Sequence, residues 1–275
     1  MARRVLLLAI LVIVLALAGE GQGRARPVPV RVMGSTSLVA LVEAVAPAYT
    51  RAHPDVSIHV SAGGSVAGLH AVAAGHVELG VSDVPPRWAG ITHHNLVRLP
   101  LGGVPVVPIV HAGTGVTGVT LGELSGLLAG RVENWKEVGG IAEKVVVVTR
   151  GPGSGALLVM ERVVMRGHPI SPDAVVELSN GAVYRAVLAT PGAVGFVEAG
   201  FVGRGVQALS VDGDTFSAGS VHHWPFSAPA ALYYRRGAAA AVRDLARFVQ
   251  RSPEKRRFGI YEEGSGGHGR RVANP

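Results

Sequence analysis

The chain has 275 residues, no cysteine and a formal net charge of +7 at pH 7. Without cysteine it has no disulfide framework, no thiolate chemistry and no cysteine that could carry a lipid after a leader. The 38 glycines and the small aromatic fraction of 5% suit an α/β protein with many tight turns. The excess of basic residues favours weak attraction of small anions. Nucleic acid is not an expected partner, because the N-terminus described next reads as an export signal.

The N-terminus is basic and then strongly apolar. Met1–Arg4 carries the basic residues, Val5–Ala18 is an uninterrupted apolar run, and Ala16-Leu17-Ala18 has the small-x-small pattern of a cleavage site. The run is short for a membrane span, so we interpret residues 1–18 as a secretory signal peptide. The mature protein is then expected in the periplasm or elsewhere outside the cytoplasm. An uncleaved leader that anchors the chain is the alternative.

Strands and helices alternate in the part of the chain that follows the leader. The predicted elements are a strand at Pro29–Met33, a helix at Leu38–Tyr49, a strand at Val56–Ser61, a helix at Val66–Ala74 and a strand at Val77–Ser82. This alternation predicts a parallel sheet built from βα units. Val104–His111 is rich in β-branched residues and is expected to carry the chain into a second lobe.

The rest of the chain predicts a second set of strands and helices, followed by a return to the first. The predicted elements are a helix at Thr120–Leu128, a strand at Val145–Val148, helices from Ser154 and from Ser179, strands at Gly195–Val197 and Ala228–Tyr234, and an amphipathic helix at Ala238–Gln250. We expect the last strand and the last helix to return to the first lobe, so that two segments cross between lobes. The tail from Gly264 is expected to fray.

Three Gly/Ser turns each end a predicted strand and begin a predicted helix. They are Gly34–Ser37, Gly63–Ser65 and Arg150–Ala156. The first N–H groups of a helix have no partner within the helix, and the helix dipole makes that end partly positive. One such turn needs no explanation beyond a serine N-cap. Three turns that converge would surround a small oxyanion with N–H groups and hydroxyls, so the pattern indicates an anion site.

These turns, together with Ser82-Asp83 and Gly192–Val197, resemble the periplasmic phosphate-binding proteins of bacterial phosphate ABC importers. The resemblance extends from about Val30 to about Phe258. It implies a two-lobed α/β fold of type II, in which each lobe is a mostly parallel sheet flanked by helices and the ligand cleft lies between the lobes. The first lobe would comprise residues 28–108 and 228–275, and the second would comprise residues 109–227. Trp135, in a turn that also resembles the family, is expected to be buried rather than to contact the ligand.

The resemblance also implies a function, which is the capture of inorganic phosphate for an ABC importer without a chemical step. The expected ligand-binding residues are Ser37, Leu38, Ser65, Asp83, Arg150, Ser154, Gly155 and Ala156. Neither a cofactor nor a metal ion is expected. The expected protein partners are the permease subunits of the importer with its ATPase, and the protein itself is expected to be a monomer.

Asp83 is expected to set the selectivity of the site. A carboxylate can accept the proton of monohydrogen phosphate, whereas sulfate has no proton at neutral pH and meets only charge repulsion. The alternative role of Asp83 is to cap the turn at Pro85-Pro86. Ala156 departs from the family pattern, which has threonine there, and the missing hydroxyl predicts binding weaker by about tenfold to a hundredfold.

Other functions stay open on the sequence. The chain could bind another tetrahedral oxyanion, could be a secreted phosphatase or another hydrolase with the same anion cradle, or could be a scaffold that has lost its ligand. Gly151–Ala156 also satisfies the dinucleotide fingerprint Gly-x-Gly-x-x-Ala, with Glu177 further along, although an exported protein rarely meets a dinucleotide. The pairs His93-His94 and His222-His223 have no further ligand at metal-binding spacing, so surface histidines are expected there.

Overall fold

The computed structural model describes residues 26–92, 95–219, 221 and 223–262. The predicted leader at residues 1–18, the residues His93, His94 and His222, and the predicted tail from Gly264 lie outside this part of the chain. Within the described residues, no helix combines the length and the apolar character needed to cross a membrane.

Eleven strands and six α-helices are formed by the described residues. The strands are β1 (Val28–Gly34), β2 (Val56–Ala62), β3 (Leu79–Ser82), β4 (Leu96–His111), β5 (Gly118–Val119), β6 (Val146–Arg150), β7 (Val175–Glu177), β8 (Ala193–Glu198), β9 (Val206–Ala208), β10 (Ser210–Val211) and β11 (Ser227–Arg235). The helices are α1 (Thr36–Ala52), α2 (Ser65–Ala74), α3 (Leu121–Leu128), α4 (Gly155–Met160), α5 (Asn180–Ala189) and α6 (Ala240–Arg251). Helix α4 continues directly into a turn of π-helix at Glu161–Met165.

The sheet is mixed and contains nine strands. Their order is β2-β1-β3-β11-β4-β8-β6-β7, with β9 paired to β4, and β5 and β10 form a separate pair. Strand β1 runs parallel to β2 and β3, and β6 runs parallel to β7 and β8. Strands β4 and β11 are antiparallel to their neighbours. Parallel βα units therefore flank a central antiparallel pair.

Strand β4 changes partner along its length. Its first part, Leu96–Pro105, pairs with β11, and its second part, from Val106, pairs with β8 and β9. We call β1, β2, β3, β11 and Leu96–Pro105 the first sheet half. We call β6, β7, β8, β9 and Val106–His111 the second sheet half. The two halves are thus joined by one continuous strand.

Each sheet half carries helices on both faces. In the first sheet half, α1 and α6 cover one face, and α2 covers the other face with its buried Leu69. In the second sheet half, α3 and Trp135 belong to one core, and α5 covers the other face through Val183. Trp135 is fully buried and its Nε1 donates to the carbonyl oxygen of Gly192 at 2.8 Å, which confirms its predicted role.

Two predicted strand boundaries are wrong. Strand β4 begins at Leu96 rather than Val104, because it tolerates Pro100 and two glycines with an irregular register opposite Ala230 and Ala231 of β11. Strand β3 begins at Leu79 rather than Val77, because Gly75 ends α2 in the left-handed conformation and the chain turns before it pairs with β1. The remaining predicted strands and helices are present, and the α/β architecture with two sheet halves is confirmed.

Candidate anion-binding site

The predicted ligand residues gather where strands from both sheet halves end. Strand β1 is followed by Ser35–Ser37, β2 by Gly63–Ser65, β3 by Asp83 and β6 by Gly151–Ser154. In open α/β sheets, ligands bind in the crevice at these carboxyl ends. All eight predicted residues are buried, namely Ser37, Leu38, Ser65, Asp83, Arg150, Ser154, Gly155 and Ala156.

Gly34 allows the turns after β1 and β2 to meet. It has φ of +154°, and a Cβ atom at this position would overlap the carbonyl oxygen of Val81. Its own carbonyl accepts hydrogen bonds from the N–H groups of Gly63 and Gly64 at 3.1 and 3.0 Å. The N–H of Ser35 donates to the Val81 carbonyl at 3.0 Å. Only glycine fits at residue 34, and its backbone fixes the two serine turns beside β3.

Asp83 is the centre of a buried hydroxyl network. The Oγ of Ser35 donates to Asp83 Oδ2 at 3.0 Å, and the Oγ of Ser65 donates to Oδ1 in a short hydrogen bond. Ser37 Oγ lies 3.0 Å from Ser35 Oγ. The first sheet half therefore presents a fixed acceptor surrounded by serines.

Ser82, not Asp83, stabilises the turn that follows β3. Its Oγ donates to the carbonyl of Val84 at 2.7 Å and accepts from the Val84 N–H at 3.1 Å. Within the described part of the chain, the side chain of Asp83 makes no bond to that turn. The alternative role of Asp83 as a turn cap is therefore wrong.

Arg150 ends β6 and brings a buried positive charge to the site. Its side chain is 4% exposed, and its Nη2 donates to the carbonyl of Leu178 at 3.2 Å. Its Nε and Nη1 are buried without a hydrogen-bond partner among the described residues. Burial lowers the pKa of Arg150, whereas the charges of Glu198 and Asp83 raise it. A guanidinium stays charged in proteins, so two buried charged donors are available here.

Glu198, the last residue of β8, brings a second carboxyl to the site. It is 1% exposed. Burial raises its pKa well above the usual glutamate value, and the charge of Asp83 and hydrogen bonding with Asp83 raise it further. Hydrogen bonding with Ser37 and the charge of Arg150 act in the opposite direction. Two carboxyl groups therefore share one guanidinium.

Residues from the two sheet halves meet across the site. The N–H of Val66 donates to the carbonyl of Gly153 at 3.1 Å. Asn180 Nδ2 donates to Thr36 Oγ1 at 3.4 Å. Gly155 lies so close to the carboxylate of Asp83 that a Cβ atom would overlap it. The start of α4 is therefore in direct contact with the acceptor of the first sheet half.

The remaining predicted residues offer mainly backbone groups. Leu38 lies in the first turn of α1, and Gly155 and Ala156 begin α4. Ser154 is the N-cap of α4, and its Oγ accepts from the N–H of Leu157 at 3.4 Å. Ser154 therefore caps α4, and among the described residues its hydroxyl forms no hydrogen bond with Asp83, Ser35 or Ser65.

Sequence reasoning missed three polar residues of this site. Ser35 bonds Asp83 directly, although its neighbour Ser37 was the predicted ligand. Glu198 directly follows the apolar run of β8, and a charged residue at the end of a buried strand was the available signal. Asn180 donates across the site and accepts from the N–H of Glu198 at 3.2 Å. At the start of a helix it looks like an ordinary cap residue, so no signal set it apart.

The alternative motifs find no support in this geometry. Among the described residues, no three or more His, Cys, Asp or Glu side chains are grouped so that they could hold a metal ion. The Asp83 carboxylate lies against Gly155. In the dinucleotide fingerprint the pyrophosphate approaches this start of the helix. A pyrophosphate diester has no proton at neutral pH to donate to Asp83, so it would meet only charge repulsion there.

A family model described as the PBP superfamily domain matches residues 18–251. The phosphate-binding protein PstS of Bacillus subtilis (strain 168) is 33% identical over 184 residues, which is 66% of this chain and 61% of that protein. The chain therefore spans less than two thirds of the length of that relative.

Solved structures agree on the fold. An X-ray structure from Clostridium perfringens, described as a phosphate ABC transporter substrate-binding protein with bound phosphate, has a TM-score of 0.76 at 25% identity and covers 85% of this chain and 99% of its own. An ABC-type phosphate transport receptor from Vibrio cholerae has a TM-score of 0.69 at 24% identity and covers 83% of this chain and 96% of its own. By the extent of the family match and by its two-lobed α/β fold, this chain belongs to the PBP superfamily.

Proposed function

We propose that this protein is an extracytoplasmic solute-binding protein that captures inorganic phosphate for an ABC importer without converting it chemically. One observation carries the proposal. The buried Nε and Nη1 of Arg150 have no hydrogen-bond partner among the described residues, and the carboxylate of Asp83 is close enough to act on the Arg150 charge. Buried polar atoms normally have a partner. Two oxygens of a tetrahedral anion match an arginine fork.

Asp83 distinguishes phosphate from other anions in this proposal. Its carboxylate is held by Ser35 and Ser65 and can accept a proton from the ligand. Monohydrogen and dihydrogen phosphate both carry such a proton, and sulfate at neutral pH does not. A carboxylate that receives no proton would repel the anion, so sulfate is disfavoured.

The other contacts follow from the positions of the predicted residues. Ser37 supplies a hydroxyl donor, and Leu38, Gly155 and Ala156 supply backbone N–H groups from the starts of two helices. Ser65 reaches the ligand only by turning its hydroxyl away from Asp83, to which it donates. Ser154 contributes through the cap of α4. The two lobes in this proposal are residues 28–108 with 228–275 and residues 109–227. Their boundary lies close to the point where β4 stops pairing with β11 and begins to pair with β8.

The names of the relatives support phosphate as the ligand and an importer as the destination. A phosphate-binding protein PstS and a phosphate-bound substrate-binding protein are among the proteins that this chain resembles. The proposed partners are membrane permease subunits with their ATPase. The proposed location is periplasmic or extracytoplasmic, after export by the predicted leader, and the proposed form is a monomer without a cofactor.

A hydrolase is the rival from another class. It would need a nucleophile with a base beside it, and Ser154 is the candidate nucleophile in the anion cradle. Its Oγ accepts from the Leu157 N–H, and within residues 26–92, 95–219, 221 and 223–262 no histidine is hydrogen-bonded to it. The site has two buried carboxyl groups and a buried arginine, and among the described residues no histidine is hydrogen-bonded to Ser154, which favours binding over hydrolysis.

Calorimetric titration of the purified, phosphate-free protein against phosphate, arsenate, sulfate and molybdate tests the proposal. We expect phosphate and arsenate to bind, because both carry a proton for Asp83, and we expect sulfate and molybdate to bind more weakly. Phosphate should be recovered unchanged, and a phosphomonoester should not be hydrolysed. Tighter binding of sulfate than of phosphate would refute the proposal, and turnover of the ester would favour the hydrolase.

A further inference from the structure

Glu198 lies where the two sheet halves join. It pairs with Val106, the residue at which β4 leaves β11 and begins to pair with β8. Its N–H donates to Asn180 Oδ1 at 3.2 Å, and Asn180 in turn donates to Thr36 of the first sheet half. The backbone of Glu198 is therefore held on both sides, and its side chain enters the site from a fixed position.

The carboxyl of Glu198 lies close enough to the guanidinium of Arg150 for the two charges to interact. Its Oε2 has no hydrogen-bond partner among the described residues, and the same is true of Arg150 Nε and Nη1. Arg150 forms no salt bridge in this part of the chain. Asp83, Ser37 and Arg150 are the groups close enough to shift the ionisation of Glu198. An unpartnered carboxyl oxygen and two unpartnered guanidinium nitrogens therefore belong to two buried side chains that interact with each other.

Two buried carboxyl groups this close cannot both be ionised at low cost, so one of them keeps a proton. Asp83 accepts hydroxyl hydrogen bonds from Ser35 and Ser65, so each of its two oxygens has a donor. Glu198 Oε2 has no hydrogen-bond partner among the described residues, and burial and the neighbouring Asp83 raise the pKa of Glu198. With the proton on Glu198, the buried site would hold one negative and one positive charge.

We propose that Glu198 is a further residue of the anion site, present as a neutral carboxylic acid whose O–H donates a hydrogen bond to an oxygen of the bound tetrahedral oxyanion. This inference rests on the proposed function. A carboxylic acid that is kept neutral by its surroundings can serve as a donor to an oxyanion. Ala156 offers no side-chain donor, and the acid of Glu198 adds one. Asp83 then accepts the proton of the ligand while Glu198 donates its own.

Two variants of similar size separate this role from a charged or structural one. In Glu198→Gln an amide N–H replaces the acid O–H as donor, so phosphate affinity should stay within a few-fold of wild type. In Glu198→Met the donor is lost, and affinity should fall by about tenfold to a hundredfold. An ionised Glu198 would repel the ligand, so both variants would then bind more tightly, and a purely structural Glu198 would give equal affinities for Gln and Met. Either result overturns the proposal.

Infrared spectroscopy tests the proton directly. The phosphate-bound wild type at neutral pH should show the carbonyl stretch of a protonated carboxyl, and this band should be missing from Glu198→Gln. A wild-type spectrum without the band would overturn the proposal, as would a band that persists in Glu198→Gln. Failure of the wild type to bind phosphate would refute the proposed function. Tight binding without the band would refute only the role of Glu198.

Discussion

At the scale of single residues, the site sets one buried guanidinium against two carboxyl groups. Among the described residues, the side chain of Arg150 makes a single hydrogen bond, to the carbonyl of Leu178, so little of the fold depends on its head group. Its unpartnered nitrogen atoms give it a large capacity to bind an anion. The fold and the affinity should therefore respond very differently to its removal.

Arg150→Ala should weaken phosphate binding strongly and leave the fold intact. Loss of one partner of a buried, charged hydrogen-bonded pair costs about 2–5 kcal/mol, which corresponds to a dissociation constant raised about thirtyfold or more. Titration calorimetry measures the loss, and far-ultraviolet circular dichroism checks the fold. The control is Arg185→Ala, which removes the same charge from an exposed position on α5. Binding by Arg150→Ala within about twofold of wild type would exclude Arg150 as a ligand.

Asp83→Asn should change the preference between phosphate and sulfate. The amide can donate as well as accept, so phosphate affinity should hold or fall, and sulfate affinity should rise because the repulsion is gone. Both dissociation constants are measured in one buffer at fixed salt, and their ratio is followed. Asp244→Asn, at a half-exposed site on α6, controls for the loss of one negative charge. If the ratio in Asp83→Asn equals that of wild type, Asp83 has no part in selectivity.

At the scale of elements, the second sheet half depends on Trp135 and the strand turn at Gly192. Trp135 is fully buried, and its Nε1 shares the Gly192 carbonyl with the N–H of Val146, at 2.8 and 3.0 Å. This contact joins a 3-10 helix to the loop before β8 and to the start of β6. It lies in the core and makes no contact with the Asp83 network.

Trp135→Phe should lower stability without changing phosphate affinity. The lost hydrogen bond and the lost volume together should reduce the free energy of unfolding by about 1–3 kcal/mol. Chemical denaturation measures this, and calorimetry should give a dissociation constant within about twofold of wild type, since distant sites act independently. Trp88→Phe, at a partly buried tryptophan, should cost less stability. A large loss of affinity in folded Trp135→Phe would contradict the purely structural role.

The elements show what the sequence could and could not reveal. The Gly/Ser turns at Gly34, Gly63 and Arg150 were visible, because glycine, serine and arginine at strand ends have a local physical meaning. Strand β4 was only half visible, since Pro100 and its neighbouring glycines suppress the local strand signal and pairing with β11 overrides it. Glu198 was missed because its role depends on Asp83 and Arg150, which come from other strands. Contacts between distant segments leave little trace in one sequence.

At the scale of the whole molecule, contacts between the two sheet halves should depend on the ligand. Two hydrogen bonds, Val66–Gly153 and Asn180–Thr36, link residues on the two sides of the site. The site between them has the charges that an anion needs. An anion that binds Arg150 and the serine turns together would add stronger bonds between the halves. Hinge closure around a ligand is a common response of this architecture.

Phosphate should therefore reduce the radius of gyration. Small-angle X-ray scattering is recorded with and without saturating phosphate, and the bound protein should be more compact. Arg150→Ala under the same conditions should stay open, because the second sheet half then lacks its charged donor. Superimposable curves for wild type with and without phosphate would rule out closure, and they would leave phosphate binding itself unaffected.

The central place of β11 has a consequence for biosynthesis. This strand spans Ser227–Arg235, near the end of the chain, yet it lies between β3 and β4, which are made much earlier. Until residue 235 has left the ribosome, β3 and the first part of β4 each keep an unpaired edge, and such edges invite pairing with other chains. The first sheet half therefore cannot mature during synthesis. In a nascent chain of this topology, the first sheet half stays incomplete until translation is nearly finished.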